Sequence, residues 1–113
     1  MSELITIRKA PGKWVVFANG AVYGETNNAL ELSEGNMTPV IYVPREDIAM
    51  AFFDKTEKTT SCPHKGTASY YSIETKSTVL ENVAWSYESP NADVAQIAGY
   101  LAFAGGPVNV EQQ

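Results

Sequence analysis

Trp14-Val15-Val16-Phe17-Ala18-Asn19-Gly20-Ala21-Val22-Tyr23-Gly24-Glu25 is the stretch that sets the fold class of this chain. Its two arms are rich in β-branched and aromatic residues, which suit a pleated, half-buried strand. Between them stands Asn19-Gly20. A two-residue type I′ turn needs positive φ at both central positions, and Asn-Gly tolerates that best. The stretch therefore reads as a β-hairpin, and its style repeats along the chain. Leu4 to Arg8 alternates weakly as a first strand before Pro11-Gly12. Ala29 to Ser33 reads as another short strand, and Val40 to Val43 as one that stops at Pro44.

Downstream lies a meander. Thr59 to Cys62 is a predicted strand, Pro63-His64-Lys65-Gly66 a turn, Thr67 to Glu74 the return, and Thr78 to Glu88 a long strand. Period-two alternation puts Val79, Val83, Trp85 and Tyr87 on one face of that last strand, and Leu80, Asn82, Ala84 and Ser86 on the other. Local connections make the pairing antiparallel. Two short helices are also predicted. The first runs from about Arg45 to Phe53. Pro44 has no N–H to lose there, Glu46 and Asp47 match the positive helix start, and Ile48/Phe52 and Ala49/Phe53 are spaced i, i+4. The second carries Val94, Ile97, Ala98 and Leu101 at i, i+3, i+4 and i+7, capped by Ser89 or Asn91 and ended by Gly105-Gly106-Pro107. Gly99 inside it suggests close packing on the sheet. The expected fold is one mainly β (α+β) domain over residues 1–113: a curled antiparallel β-sheet of hairpins, its core sealed by the C-terminal helix.

Composition narrows the function. A chain of 113 residues buries roughly two-thirds of its unfolded surface, so it needs no metal or disulfide staple. The formal net charge of −5, with no long run of like charge, disfavours nucleic acid as a partner, because that affinity rests on Lys and Arg neutralising phosphates. Cys62 and His64 are the sole cysteine and histidine, so a Cys-rich zinc site is excluded. Neither a metal nor a cofactor is expected. No apolar run approaches the ~20 residues of a membrane span, and no signal peptide is expected, which leaves a cytoplasmic location by default.

Three clusters carry chemical side chains. Tyr42, Pro44, Arg45, Glu46 and Asp47 sit at a strand-to-helix junction, where backbone N–H groups and a bidentate Arg suit a carboxylate or phosphate; the plainer reading is a capped helix start. Cys62-Pro63-His64-Lys65-Gly66, followed by Ser69, Tyr70 and Tyr71, places a thiol, an imidazole and an amine at a hairpin tip. Lys65 or His64 could activate Cys62, but Pro and Gly are what any tight turn wants, and a structural Cys62 is the favoured reading. Asn82, Trp85, Ser86 and Tyr87 form the third cluster. Asn is disfavoured mid-strand, so Asn82 is exposed, bonded to backbone or facing a ligand. Trp85 and Tyr87 serve either as core or as a stacking wall. There is no Gly-x-Gly-x-x-Gly, no phosphate loop, no nucleophile elbow and no Asp-x-Asp.

In order, Tyr42-Val43-Pro44-Arg45-Glu46-Asp47-Ile48, Cys62-Pro63-His64-Lys65-Gly66-Thr67-Ala68-Ser69-Tyr70, Asn82-Val83-Ala84-Trp85-Ser86-Tyr87 with Pro90, and Ile97-Ala98-Gly99-Tyr100-Leu101-Ala102-Phe103 resemble the blocks of the domain-of-unknown-function family 427, also labelled a nucleotidyltransferase family. The resemblance covers roughly residues 14–110. It implies a tent-like, half-barrel curled sheet similar to Mss4-type proteins, and it supplies no proven reaction. Relatives of that architecture often carry zinc on two Cys pairs, which a chain with one Cys lacks. His64, Tyr71, Ala104 and Asn109 depart from residues frequent in the family, so His64 and Ala104 are poor candidates for a family-wide role.

The functional expectation is a binding protein for a small polar, phosphorylated or nucleotide-like ligand. Its site gathers Arg45, Glu46, Lys65, Tyr70, Trp85 and Tyr87, with Arg45 and Lys65 converging on one concavity and contributing little to stability. The rivals are an enzyme, either a nucleotidyltransferase or a catalyst using Cys62, and a protein-interaction module without chemistry. Neither the ligand nor the oligomeric state is legible.

Overall fold

A computed structural model describes residues 4–113. Ten strands run in chain order: β1 (Ile5–Lys9), β2 (Trp14–Ala18), β3 (Ala21–Thr26), β4 (Leu30–Glu34), β5 (Val40–Tyr42), β6 (Phe53–Cys62), β7 (Gly66–Glu74), β8 (Val79–Ser86), β9 (Leu101–Phe103) and β10 (Val108–Gln112). They form three antiparallel sheets, ordered β1-β4-β5, β10-β2-β3 and β6-β7-β8-β9. The architecture is mainly β and curled, as expected. The Asn-Gly hairpin is in place, with φ of 50° at Asn19 and 81° at Gly20.

The sheets are stitched at two isolated bridges. Val43 and Leu101 exchange backbone hydrogen bonds of 2.8 and 2.9 Å, joining the first sheet to the four-stranded one. Gly24 bridges Ile48, and Ala49 N–H donates to Tyr23 C=O at 2.8 Å. A Cβ on Gly24 would stand 3.1 Å from the Asp47 carbonyl, so glycine permits this approach.

Both predicted helices are corrected. In place of one helix over Arg45 to Phe53 there are two short 3₁₀ turns, Arg45–Asp47 and Met50–Phe52. Ile48 between them is extended, at φ −114° and ψ 142°. The Ile48 N–H closes the first turn on the Arg45 carbonyl, while the Ala49 N–H, which a helix would direct to Arg45, donates to Tyr23 C=O across the Gly24–Ile48 bridge, so tertiary pairing overrides the i, i+4 pattern. The C-terminal helix is a 3₁₀ segment, Ala92–Ile97, broken at Val94, and it does not seal the core as a helix. Val94 and Ile97 are fully buried three residues apart, the 3₁₀ repeat, while Leu101 belongs to β9. Asn91 precedes this segment without a side-chain cap; its amide donates to the Pro63 carbonyl instead. Gly99 has φ +78° with open space around it, so it serves a turn and not close packing. Strand β10, after Gly105-Gly106-Pro107, was not anticipated.

Strand β7 is the spine of the largest sheet, and two bulges curl that sheet around it. Lys55 pairs with Tyr71 and Thr59 with Ser69, so Thr56 to Lys58 oppose Tyr70 alone. Tyr71 pairs with Ala84 and Ile73 with Leu80, so Glu81 to Val83 oppose Ser72 alone. Extra residues on the flanking strands bend them. Asn82 lies in the second bulge at φ 54°, a conformation Asn tolerates better than most residues. Its N–H donates to Ser72 Oγ, and its Oδ1 accepts from Thr56 Oγ1 at 2.6 Å, linking the two bulges. The bulge also ends strict alternation along β8: Val79 is half exposed, whereas Val83 and Ala84 are both buried. The core divides accordingly. Val16, Val43, Tyr71, Ile73, Leu101 and Phe103 pack in one cluster, and Leu32, Tyr42, Ala68, Tyr87, Val94 and Ile97 in the other.

Candidate functional site

The second cluster opens into a cavity of about 240 Å³ whose walls include Glu34, Tyr42, Lys65, Tyr70, Trp85 and Tyr87. Tyr70 and Trp85 are direct cross-strand partners on β7 and β8, so the pleat sends both side chains to the same face. Their ring centroids lie 6.2 Å apart. Tyr70 is held from outside by Lys58, whose Nζ sits 4.7 Å from the ring centroid, and by a 3.2 Å hydrogen bond with Thr60. These contacts come from the first bulge and its return, so the sheet's curl fixes the aromatic wall.

Lys65 stands at the β6–β7 turn. Its N–H donates to the Cys62 carbonyl and its own carbonyl accepts from Asn91 N–H at 2.9 Å, so the backbone is pinned on both sides. Its Nζ donates to Glu34 Oε1 at 2.8 Å, and the two side chains are only 13% and 11% exposed. Nζ also lies 5.9 Å from the centroid of the Tyr87 ring. Burial pulls the Lys65 ammonium down, but Glu34 and the Tyr87 neighbour more than compensate, leaving it raised. Burial pushes the Tyr87 phenol up to about 12 and raises Tyr42 as well, so both remain neutral hydroxyls at physiological pH. The cavity thus offers an aromatic wall, hydroxyls and one charge-balanced ion pair. Lys65 keeps two N–H donors beyond the one spent on Glu34.

Of the six residues singled out from sequence, Lys65, Tyr70, Trp85 and Tyr87 converge here, while Arg45 and Glu46 do not. Arg45 serves the opposite face of the four-stranded sheet. Its Nε donates to Gly99 C=O, Nη1 to Tyr71 Oη, and Nη2 to Ser86 Oγ and Glu88. Ser86 and Tyr87 are consecutive and point to opposite sides, and so are Tyr70 and Tyr71, so Arg45 and Lys65 are separated by the sheet. The shared two-cation site is therefore corrected. Glu88 binds Arg45, Lys55 and the Tyr71 hydroxyl; burial works to raise its carboxyl, but those donors outweigh it and hold it low. Glu46 is exposed outside the cavity, and Asp47 accepts from Thr26 Oγ1.

Cys62 is half buried against the second core cluster, and no hydrogen bond joins it to His64. Among the described residues, no three His, Cys, Asp or Glu side chains gather. Sequence reasoning missed Glu34. It lies 31 residues from Lys65, and nothing local distinguishes a carboxylate at the end of a strand.

Fold and site together define a small, curled, mainly β domain with an aromatic-walled polar cavity at the edge of its core. Over residues 6–113 the chain matches the sequence model of the family described as Domain of unknown function (DUF427), and it belongs to that family. No curated protein matches the chain. Among the described residues, no helix is long and apolar enough to cross a membrane.

Proposed function

We propose that this protein binds a small polar ligand with a planar ring in the cavity between β7–β8 and the β4–β5 hairpin. The observation that supports this is the meeting of Tyr70, Trp85, Tyr87 and the Glu34–Lys65 pair around one hollow. Ligand sites characteristically combine apolar or aromatic walls with a few fixed polar groups. A volume of 240 Å³ holds about eight water molecules' worth of space, enough for a single substituted ring but tight for a whole nucleoside triphosphate. Glu34 already balances Lys65, so a carbonyl or a singly charged carboxylate suits the free Lys65 donors better than a multiply charged phosphate.

The test combines native mass spectrometry of freshly purified protein with titration by benzoate, indole-3-acetate, uridine monophosphate and adenosine monophosphate. Binding is followed by the emission of Trp85 in a Trp14→Phe background. A retained small molecule, or saturable emission changes with the planar carboxylates that Lys65→Met abolishes, supports the reading. An unliganded mass together with no saturable response to any of the four overturns it.

A further inference from the structure

A second hollow lies where the β1-β4-β5 sheet adjoins the β10-β2-β3 sheet. Its volume is about 490 Å³, about twice that of the Lys65 cavity, and its walls include Arg8, Pro11, Trp14, Glu31 and Gln112. Two cross-strand pairs supply the side chains. Arg8 opposes Glu31 across β1 and β4, and Trp14 opposes Gln112 across β2 and β10. The β1–β2 connection holds them in place. Trp14 Nε1 donates to the Ala10 and Pro11 carbonyls at 3.2 Å each, and Gln112 Nε2 donates to the Pro11 carbonyl at 2.8 Å. Gly12 leaves room for that amide, because a Cβ there would stand 2.8 Å from Gln112 Nε2.

What each group has left over defines a ligand. The indole has spent its only polar hydrogen, so it offers a ligand ring carbon. Gln112 keeps its Oε1 and a second N–H. Arg8 meets Glu31 through Nε alone, at 2.7 Å, and neither Nη finds an acceptor among the described residues. The two Nη groups of a guanidinium form the fork that grips two oxygens of one oxyanion. Lys9 also borders the hollow, and among the described residues no carboxylate pairs with it. Two cations against one carboxylate make this rim locally positive on a chain of net charge −5.

We propose that this hollow binds a phosphomonoester carried on a flat ring, with the phosphate on the Arg8 fork, the ring against Trp14 and any polar edge of the ring on the Gln112 amide. The site is separate from the Lys65 cavity and stands on its own side chains. Glu34 balances Lys65 there, whereas here the positive charge is in surplus and Arg8 is open to water, which suits a doubly charged phosphate that keeps part of its hydration.

The two indoles report the two cavities separately. The probes are phenyl phosphate, adenosine monophosphate and uridine monophosphate, with inorganic phosphate and adenosine as the separated halves. They are titrated by Trp14 emission in a Trp85→Phe background and by calorimetry on the unaltered chain. The joined molecules should bind about tenfold or more tightly than either half. Arg8→Gln should weaken them about tenfold with a nearly unchanged urea midpoint, since that side chain is 73% exposed. Nucleotides that bind more tightly than phenyl phosphate, by a margin that Gln112→Ala removes, assign a heterocyclic phosphate; equal affinities assign a plain aryl phosphate. The absence of both a saturable Trp14 response and an Arg8-dependent heat overturns the site. So does binding that Arg8→Gln leaves intact, or a phosphate response carried by Trp85 with Trp14 silent. None of these results decides the planar-carboxylate reading of the Lys65 cavity, which Trp85 reports.

Discussion

Replacing Lys65 by Met should unmask how much the cavity's ion pair contributes to the fold. The ammonium and the Glu34 carboxylate are 2.8 Å apart, with both side chains close to nine-tenths buried. Exposed pairs are worth about 0–1 kcal/mol, whereas removing one partner of a fully buried pair costs roughly 3–5 kcal/mol because the other charge is left uncompensated. The cavity is open to water on one side, so the expected cost for Lys65→Met is about 2–3 kcal/mol. Met keeps most of the side-chain volume, so that cost reports the lost charge rather than a void. Glu34→Gln should cost about 1 kcal/mol, since an amide oxygen still accepts from Nζ. The double variant should be more stable than the sum of the singles predicts, by about 1–2 kcal/mol. The assay is urea unfolding of the four proteins at neutral pH, followed by circular dichroism. The pH dependence has a definite sign. The folded Lys65 ammonium titrates above its ordinary value of 10.5, so its contribution is intact below that value and is lost as pH rises through the higher folded one. A Lys65→Met variant within about 0.5 kcal/mol of the parent, with no coupling in the double variant, would refute the view of the pair as a buried brace.

Glu88→Gln should cost about 1 kcal/mol near neutral pH, a figure discounted for a side chain one-third exposed. The folded Glu88 carboxyl sits below its ordinary 4.5, so this difference is complete above that value and fades as pH falls through the folded one; urea midpoints of both proteins from pH 3 to 7 measure it. Gly99→Ala should destabilise by about 1–2 kcal/mol through positive φ alone, since an added Cβ meets nothing within 4 Å. An unchanged urea midpoint would mean that the turn holding the Arg45 acceptor relaxes at no cost.

Much of the fold was legible because its signals are local. Asn19-Gly20 selects a mirror-image turn whatever surrounds it, the β-branched and aromatic arms around Trp14 suit a pleated strand, and the turns on either side of Thr67 to Glu74 mark out the meander. Lys65, Tyr70, Trp85 and Tyr87 were identifiable as a group, because one hairpin and its neighbouring strand carry them all, and pairing Tyr70 with Trp85 needs only the local register. The helical patterns misled for a physical reason. Apolar residues spaced by three or four satisfy a helix, a 3₁₀ turn or an irregular segment whose backbone finds partners elsewhere, and Ile48 found its partner in Gly24. Only the tertiary structure paired Glu34 with Lys65, set Arg45 on the opposite face of the sheet and laid β10 against β2. Each of these depends on contacts between segments far apart in the chain that the curl of the bulged sheet brings together, and neither composition nor periodicity carries that information.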